Sequence, residues 1–193
     1  MKTEKTITYF SAPGKENTRD CVDCAIRRAK ELNIKDIIVA SCSGATAKLF
    51  FDAANQENLH LIVVTHAVGF EKPGEWEFNP EIAQELKDGG AAIVTGTHAL
   101  SGMERAISRR LGGASRTEAI AEALRRTIAV GLKVAVECTL IAADAGAIPL
   151  DKEVIAVGGT EEGADTVAVI LPAHTANYFG LQVRELVAMP RDR

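Results

Sequence analysis

The residues best suited to hold a ligand fall in one short run, Ser41-Cys42-Ser43-Gly44-Ala45-Thr46, within "IIVASCSGATAKLF". An apolar stretch with strand character gives way there to a helical pattern. Hydroxyls at Ser41, Ser43 and Thr46 can donate to an anion, and Gly44, lacking a Cβ, lets the backbone come close. The helix that follows would aim its free N–H groups and its positive dipole end at the same point. This is phosphate chemistry without lysine. A helix cap alone would need one hydroxyl, whereas three surround this glycine.

Similar residue types recur where other apolar runs end. These ends are Thr65-His66, Thr95-Gly96-Thr97-His98 and Gly158-Gly159-Thr160, the last followed by Gly163-Ala164-Asp165-Thr166. A further run, read as a strand over 132–137, ends at Glu137-Cys138-Thr139. The beginnings of the runs, at Asp36, His60, Gly90, Lys133 and Glu153, show no such enrichment. Ligands of open α/β sheets bind beyond the carboxyl ends of the strands, so the pattern marks a ligand rim. The glycine-rich end at Gly158 would receive a flat ring or a second polar group. It is not GxGxxG, and no dinucleotide fingerprint is read from it.

His66 and His98 have the right intrinsic acidity for acid–base work, but both are read as binding rather than catalytic residues. The chain has no GxSxG elbow and no hydrolase order of Ser, His and Asp. No metal-ligand spacing occurs. Cys21 and Cys24 form a CxxC, which in a helix simply shares one face. With no second ligand pair nearby, they are read as structural and reduced. Arg105, Arg109, Arg110, Arg116, Arg125 and Arg126 read as a solvated face with acid partners such as Glu118 and Glu122. The segment "GFEKPGEWEF" is long enough to act as a lid, and its Trp76 is read as a packing residue.

The elements that must position these residues alternate. Strand candidates are Ile7–Phe10, 36–40, 60–65, 91–95, 132–137, 153–157 and 166–171. Helical patterns lie between them, one with Asn79, Pro80 and Gly89 as cap, first turn and stop, another opened by the Ser115/Glu118 capping box. The tail 181–189 is left unassigned. Alternation predicts parallel βαβ units, and near-continuous apolar runs predict a sheet covered on both faces. The expected fold is α/β, a three-layer, doubly wound, mostly parallel sheet. It forms one domain over 1–193, with a two-helix insertion over 97–131.

At 193 residues, 47% hydrophobic and 25% charged, the composition is that of a globular domain. A net charge of −4 gives no case for nucleic acid. No apolar run reaches the ~20 residues of a membrane span. The polar start "MKTEKTITYF" does not read as a signal peptide, so a cytoplasmic protein is expected, with a phosphorylated small molecule as partner and a homo-oligomer as an open alternative to a monomer.

The Ser-Cys-Ser-Gly-Ala-Thr run resembles the sugar-phosphate effector loop of the pyruvate kinase C-terminal domain, Thr/Ser-x-Ser-Gly-x-Ser/Thr at the same junction. "LHLIVVTHA" resembles that domain's next strand. Along nearly its whole length the chain resembles stand-alone archaeal and bacterial proteins of the pyruvate kinase α/β-domain type, through "YFSAPGKENT", "TGTHALSGMERAISR" and "GGTEEGADT". The resemblance implies a doubly wound fold and bound flavin mononucleotide (FMN), with its phosphate at Ser41–Thr46. It implies no kinase chemistry, and the CxxC lies outside its pattern. The loop also resembles the phosphate loop of sugar isomerase domains. Sugar-phosphate isomerase and sugar-phosphate-responsive regulatory domain are therefore the alternatives.

Overall fold

The computed structural model describes residues 2–192. Seven strands form one sheet: β1 (Thr8–Phe10), β2 (Asp36–Ala40), β3 (His60–Thr65), β4 (Ala92–Thr95), β5 (Val154–Gly158), β6 (Thr166–Leu171) and β7 (Gln182–Pro190). Six α-helices connect them: α1 (Thr18–Leu32), α2 (Ala45–Gln56), α3 (Pro80–Asp88), α4 (Gly102–Leu111), α5 (Arg116–Thr127) and α6 (Val130–Asp144). The strand order is β1-β7-β6-β5-β2-β3-β4. Every strand runs in one direction except β6, which is antiparallel to both β5 and β7.

Period-two alternation explains the layering. Ile37 and Val39 of β2, Leu61 and Val63 of β3, and Ile155 and Val157 of β5 join one core beneath α1, α2 and α3. Their neighbours Ile38, Ile62, Val64, Val154 and Ala156 join the other, beneath α6. With both faces covered, the strands read as continuous apolar runs.

The run read as a strand over 132–137 is instead the middle of α6. Twelve residues of α6 are buried, so it shows no polar face to betray the helical period. The sheet gains its seventh strand from the unassigned tail, as β7 beside β1 and β6. The helices expected between 97 and 131 form as α4 and α5, and the predicted capping box closes at Ser115 and Glu118.

The chain leaves β2 outward through β3 and β4, then returns to place β5 on the other side of β2. The carboxyl ends of β2 and β5 therefore flank a topological switch point, where the connections lead away to opposite sides and leave a crevice. Among the described residues, no helix is long and apolar enough to cross a membrane.

Candidate functional site

A cleft of about 680 Å³ opens at this switch point. Ser41, Cys42 and Ser43 line it from the end of β2, Thr65 and His66 from the end of β3, and Gly159 from the end of β5. Ala45 and Thr46 contribute the first turn of α2, His98 the segment after β4, and Lys133, Glu137 and Cys138 one face of α6. The volume lies within the roughly 300–1,000 Å³ usual for small-molecule sites.

Within the loop the three hydroxyls divide their work. Ser41 Oγ accepts the N–H groups of Gly44 at 3.2 Å and Ala47 at 3.3 Å. Gly44 is the N-cap residue of α2; Ser41 satisfies a first-turn N–H from within the loop and holds the loop's shape. Ser43 Oγ is exposed, with one long contact of 3.5 Å from the Ala45 N–H. Ser43 and Thr46 are thus the hydroxyls left to meet a ligand at the start of α2. Gly44 corrects the expectation of close ligand approach, for it does not line the cleft. Its φ of +101° lies in the left-handed region, and a Cβ there would stand 2.9 Å from Ile82 Cγ2 and 3.2 Å from the Phe78 ring. Backbone conformation and packing under α3 require this glycine.

Three rings meet at the mouth of the cleft. Phe70 lies parallel to His98, with centroids 4.8 Å apart and a 10° tilt, and 4.0 Å from His66. His98 Nε2 is buried without a hydrogen-bond partner, an unsatisfied polar atom in the cleft wall. Burial lowers the pKa of His98, against the pull of Glu137, so its neutral form is favoured. His66 has a partner on each ring nitrogen: Cys42 Sγ at 3.1 Å from Nε2, and Glu77 Oε2 at 2.9 Å from Nδ1. Glu77 is fixed through its other oxygen by the Glu71 N–H at 3.2 Å. Burial, then Glu77 and Glu71, pushes the Cys42 thiol up to about 11.

A buried ion pair forms part of the α6 wall. Lys133 Nζ meets Glu137 Oε2, and Leu100 N–H donates to Glu137 Oε1 at 2.8 Å, with Ser101 Oγ at 3.3 Å. Burial pushes the Glu137 carboxyl up, but Lys133 and the Leu100 N–H outweigh it and hold the group below the usual carboxylate range. For Lys133 burial prevails and lowers its value.

A model of the family described as pyruvate kinase, alpha/beta domain, matches residues 19–170. The chain belongs to this family. Solved structures similar to it include two pyruvate kinases of Cryptosporidium parvum at TM-score 0.42. One is 16% identical over 81% of this chain and 22% of that one, the other 18% identical over 80% and 23%. A third, the Cryptosporidium parvum enzyme in complex with ADP, is 16% identical at TM-score 0.42 over 90% and 24%. The chain thus spans less than a quarter of the length of each.

Not every predicted site residue of this pyruvate kinase α/β-domain protein reaches the cleft. Thr95, Gly96 and Thr97 line a neighbouring cleft of about 490 Å³, which shares His98 and Ser101 with the first. Thr95 Oγ1 is 2.8 Å from Thr65 Oγ1, which also accepts the Trp76 indole N–H at 3.1 Å. Trp76 stacks on Phe78 of its own chain. Asp165 is wholly buried and accepts from Gly14 N–H, Thr160 N–H and Thr166 Oγ1. It clips the β5–β6 turn to the N-terminal loop, and Thr160 belongs to that clip.

Gly158 is a packing residue, because a Cβ there would stand 2.2 Å from the Gly131 carbonyl of α6. Gly158→Ala is expected to destabilise the protein by about 2 kcal/mol through overpacking against a helix backbone, read as a lower urea midpoint.

Phe70, Glu77 and Lys133 escaped the sequence reading. An apolar Phe70 in a charged loop was a usable signal. Glu77 had none, being one of three glutamates in "EKPGEWE".

Proposed function

We propose that this protein binds a phosphorylated planar heterocycle, flavin mononucleotide, with the phosphate at Ser43, Ala45 and Thr46 and the ring near His66, Phe70 and His98. The observation that carries this reading is the unpartnered His98 Nε2, buried beside parallel Phe70 in the cleft that also holds the loop. A buried polar atom without a partner is costly, and the polar edge of a flavin would satisfy it. The α2 N-terminus supplies the dipole and free N–H groups that a phosphate needs. Arg19 and Arg105 also line the cleft and add positive charge, offset in part by Glu16 and Glu161, while Lys15 there is paired with Glu162. The resemblance of the loop to a sugar-phosphate effector loop points to the same end group.

The test is the absorption spectrum of the purified protein and the mass of whatever denaturation releases, followed by titration of ligand-free protein with FMN. Flavin bands, or uptake of one FMN per chain, are expected. Protein that neither carries nor takes up flavin overturns the reading. Binding of a sugar phosphate in its place would favour the regulatory or isomerase alternative, which the loop serves equally well.

Ser43→Ala combined with Thr46→Val is expected to weaken FMN binding roughly 10–100-fold, the loss of hydrogen bonds to a charged group. Riboflavin, which lacks the phosphate, should bind wild type and variant alike. Equal losses for both ligands would place the phosphate elsewhere.

A further inference from the structure

Cys42, His66 and Glu77 form a chain whose order is informative. The thiol meets one ring nitrogen of His66 and the carboxylate meets the other. A carboxylate has no proton to give, so Nδ1 carries the hydrogen and Nε2 presents its lone pair to the thiol. Glu77 is held in turn by the Glu71 N–H, which orients the base in the manner of a thiol or serine triad. The donor atoms come from three separate segments: the loop after β2, the end of β3, and the loop before α3. Cys42 is half-buried and lines the cleft, whereas Cys21, Cys24 and Cys138 are buried. The three donor atoms also lie within 4.8 Å of one another, as metal ligands would. However, an ion at Nε2 would take only Cys42 and His66 in line, with Glu77 behind the ring.

We propose that Cys42 is a nucleophile, with His66 as its general base and Glu77 as the positioning residue, acting on the acyl group of a small ester or thioester. Sulfur adds to the carbonyl carbon while its proton passes to His66 Nε2. The adduct collapses, breaking the carbon–carrier bond, and the carrier alcohol or thiol leaves with that proton. Water then attacks the thioester, giving its proton to His66. The carbon–sulfur bond breaks, the acid is released, and the thiol recovers the proton. No electrons change hands. The raised thiol keeps its proton at neutral pH, so attack requires His66 to remove that proton in the step itself. The thiol chemistry does not depend on flavin.

The experiment uses the full chain and p-nitrophenyl acetate. A burst of one nitrophenolate per chain is expected, with acetyl mapped to Cys42 by peptide mass, at least tenfold faster than acetylation of glutathione. His66→Ala should slow it roughly 10²–10⁴-fold, the usual range for a lost general base. Glu77→Gln should slow it by a factor comparable to that of His66→Ala, because an amide donating to Nδ1 selects the wrong tautomer, and shift the ¹⁵N resonances of His66 accordingly. A folding check by circular dichroism accompanies each variant, and the comparison with glutathione needs no variant. Acetylation of wild type no faster than glutathione overturns the proposal. So does an unchanged rate in folded His66→Ala, or stoichiometric metal that is lost in Cys42→Ala. Flavin content is read separately from the visible spectrum, so failure here leaves the binding reading untouched.

Discussion

Glu137→Ala is expected to cost about 3–5 kcal/mol of stability, the usual penalty for leaving half of a buried ion pair alone. The variant strands Lys133, whose side chain is 3% exposed, and orphans the Leu100 N–H and Ser101 hydroxyl that Glu137 accepts. Equilibrium urea unfolding measures it, and a loss below about 1 kcal/mol would mean that water replaces the carboxylate, since a buried unsatisfied group alone costs about that much. Lys133→Met with Glu137→Leu should recover most of the loss, because apolar pairs of similar size often replace buried ion pairs without penalty.

The pH dependence follows from the direction of the shift. Glu137 is depressed in the folded state, so its contribution is fully present above its unfolded value. It fades as pH falls through the lower, folded one. Acid should therefore destabilise wild type more steeply than the double variant. Lys133, also lowered, by burial, acts in the same sense at higher pH, its cost easing as pH rises toward the ordinary lysine range.

Gly44→Val is the second large effect. Strain from a β-branched residue at φ +101° is of order 1–3 kcal/mol. Overpacking against Ile82 Cγ2 and the Phe78 ring adds about 1–3 kcal/mol. The expected loss is therefore about 2–6 kcal/mol in sum, measured as a fall in the denaturation midpoint together with loss of the ligand. Ile82→Ala on the same background should return only the packing share. Unchanged stability in Gly44→Val would mean that the loop can abandon this conformation freely. Ligand loss then could not be ascribed to the phosphate loop alone, which is why Ser43 and Thr46 are the better probes of binding.

Local rules in the sequence were legible wherever one side chain decides one backbone event. Asn79 caps α3 by accepting from the Glu81 and Ile82 N–H groups, Pro80 fills its first position and Gly89 stops it. The strand ends at Ala40 and Thr65 fall where expected because burial on both faces makes the apolar run and the strand coincide. The 132–137 segment failed for the same reason: a helix buried all round and a strand buried on both faces look alike over six residues. Length was the available signal, since the mostly apolar stretch continues from Val130 to Ala143 across Lys133, Glu137 and Thr139, too long for a strand. Three of the nine residues of β7 are exposed, Gln182 to Arg184, which blurred its alternation. The ligand rim was visible as residue types at strand ends. Its selection was not, because Gly158 and Asp165 serve packing and a turn clip, while Glu77 and Lys133 arrive through tertiary folding.

Helix α4 buries no residue completely, and Met103, Ile107 and Leu111 are exposed. Helix α6, across the same cleft wall, is buried along twelve of its residues. The amides of the two helices should therefore exchange with deuterium by different routes. Those of α6 wait for the whole sheet to come apart, whereas α4 can fray while the sheet stays intact. The α4 segment begins directly after Leu100 and Ser101, whose donors rest on Glu137. The firm and the loose parts of the cleft are thus joined at one carboxylate, and an occupant touching Ser101 or Arg105 would slow exchange in α4 without altering it in α6.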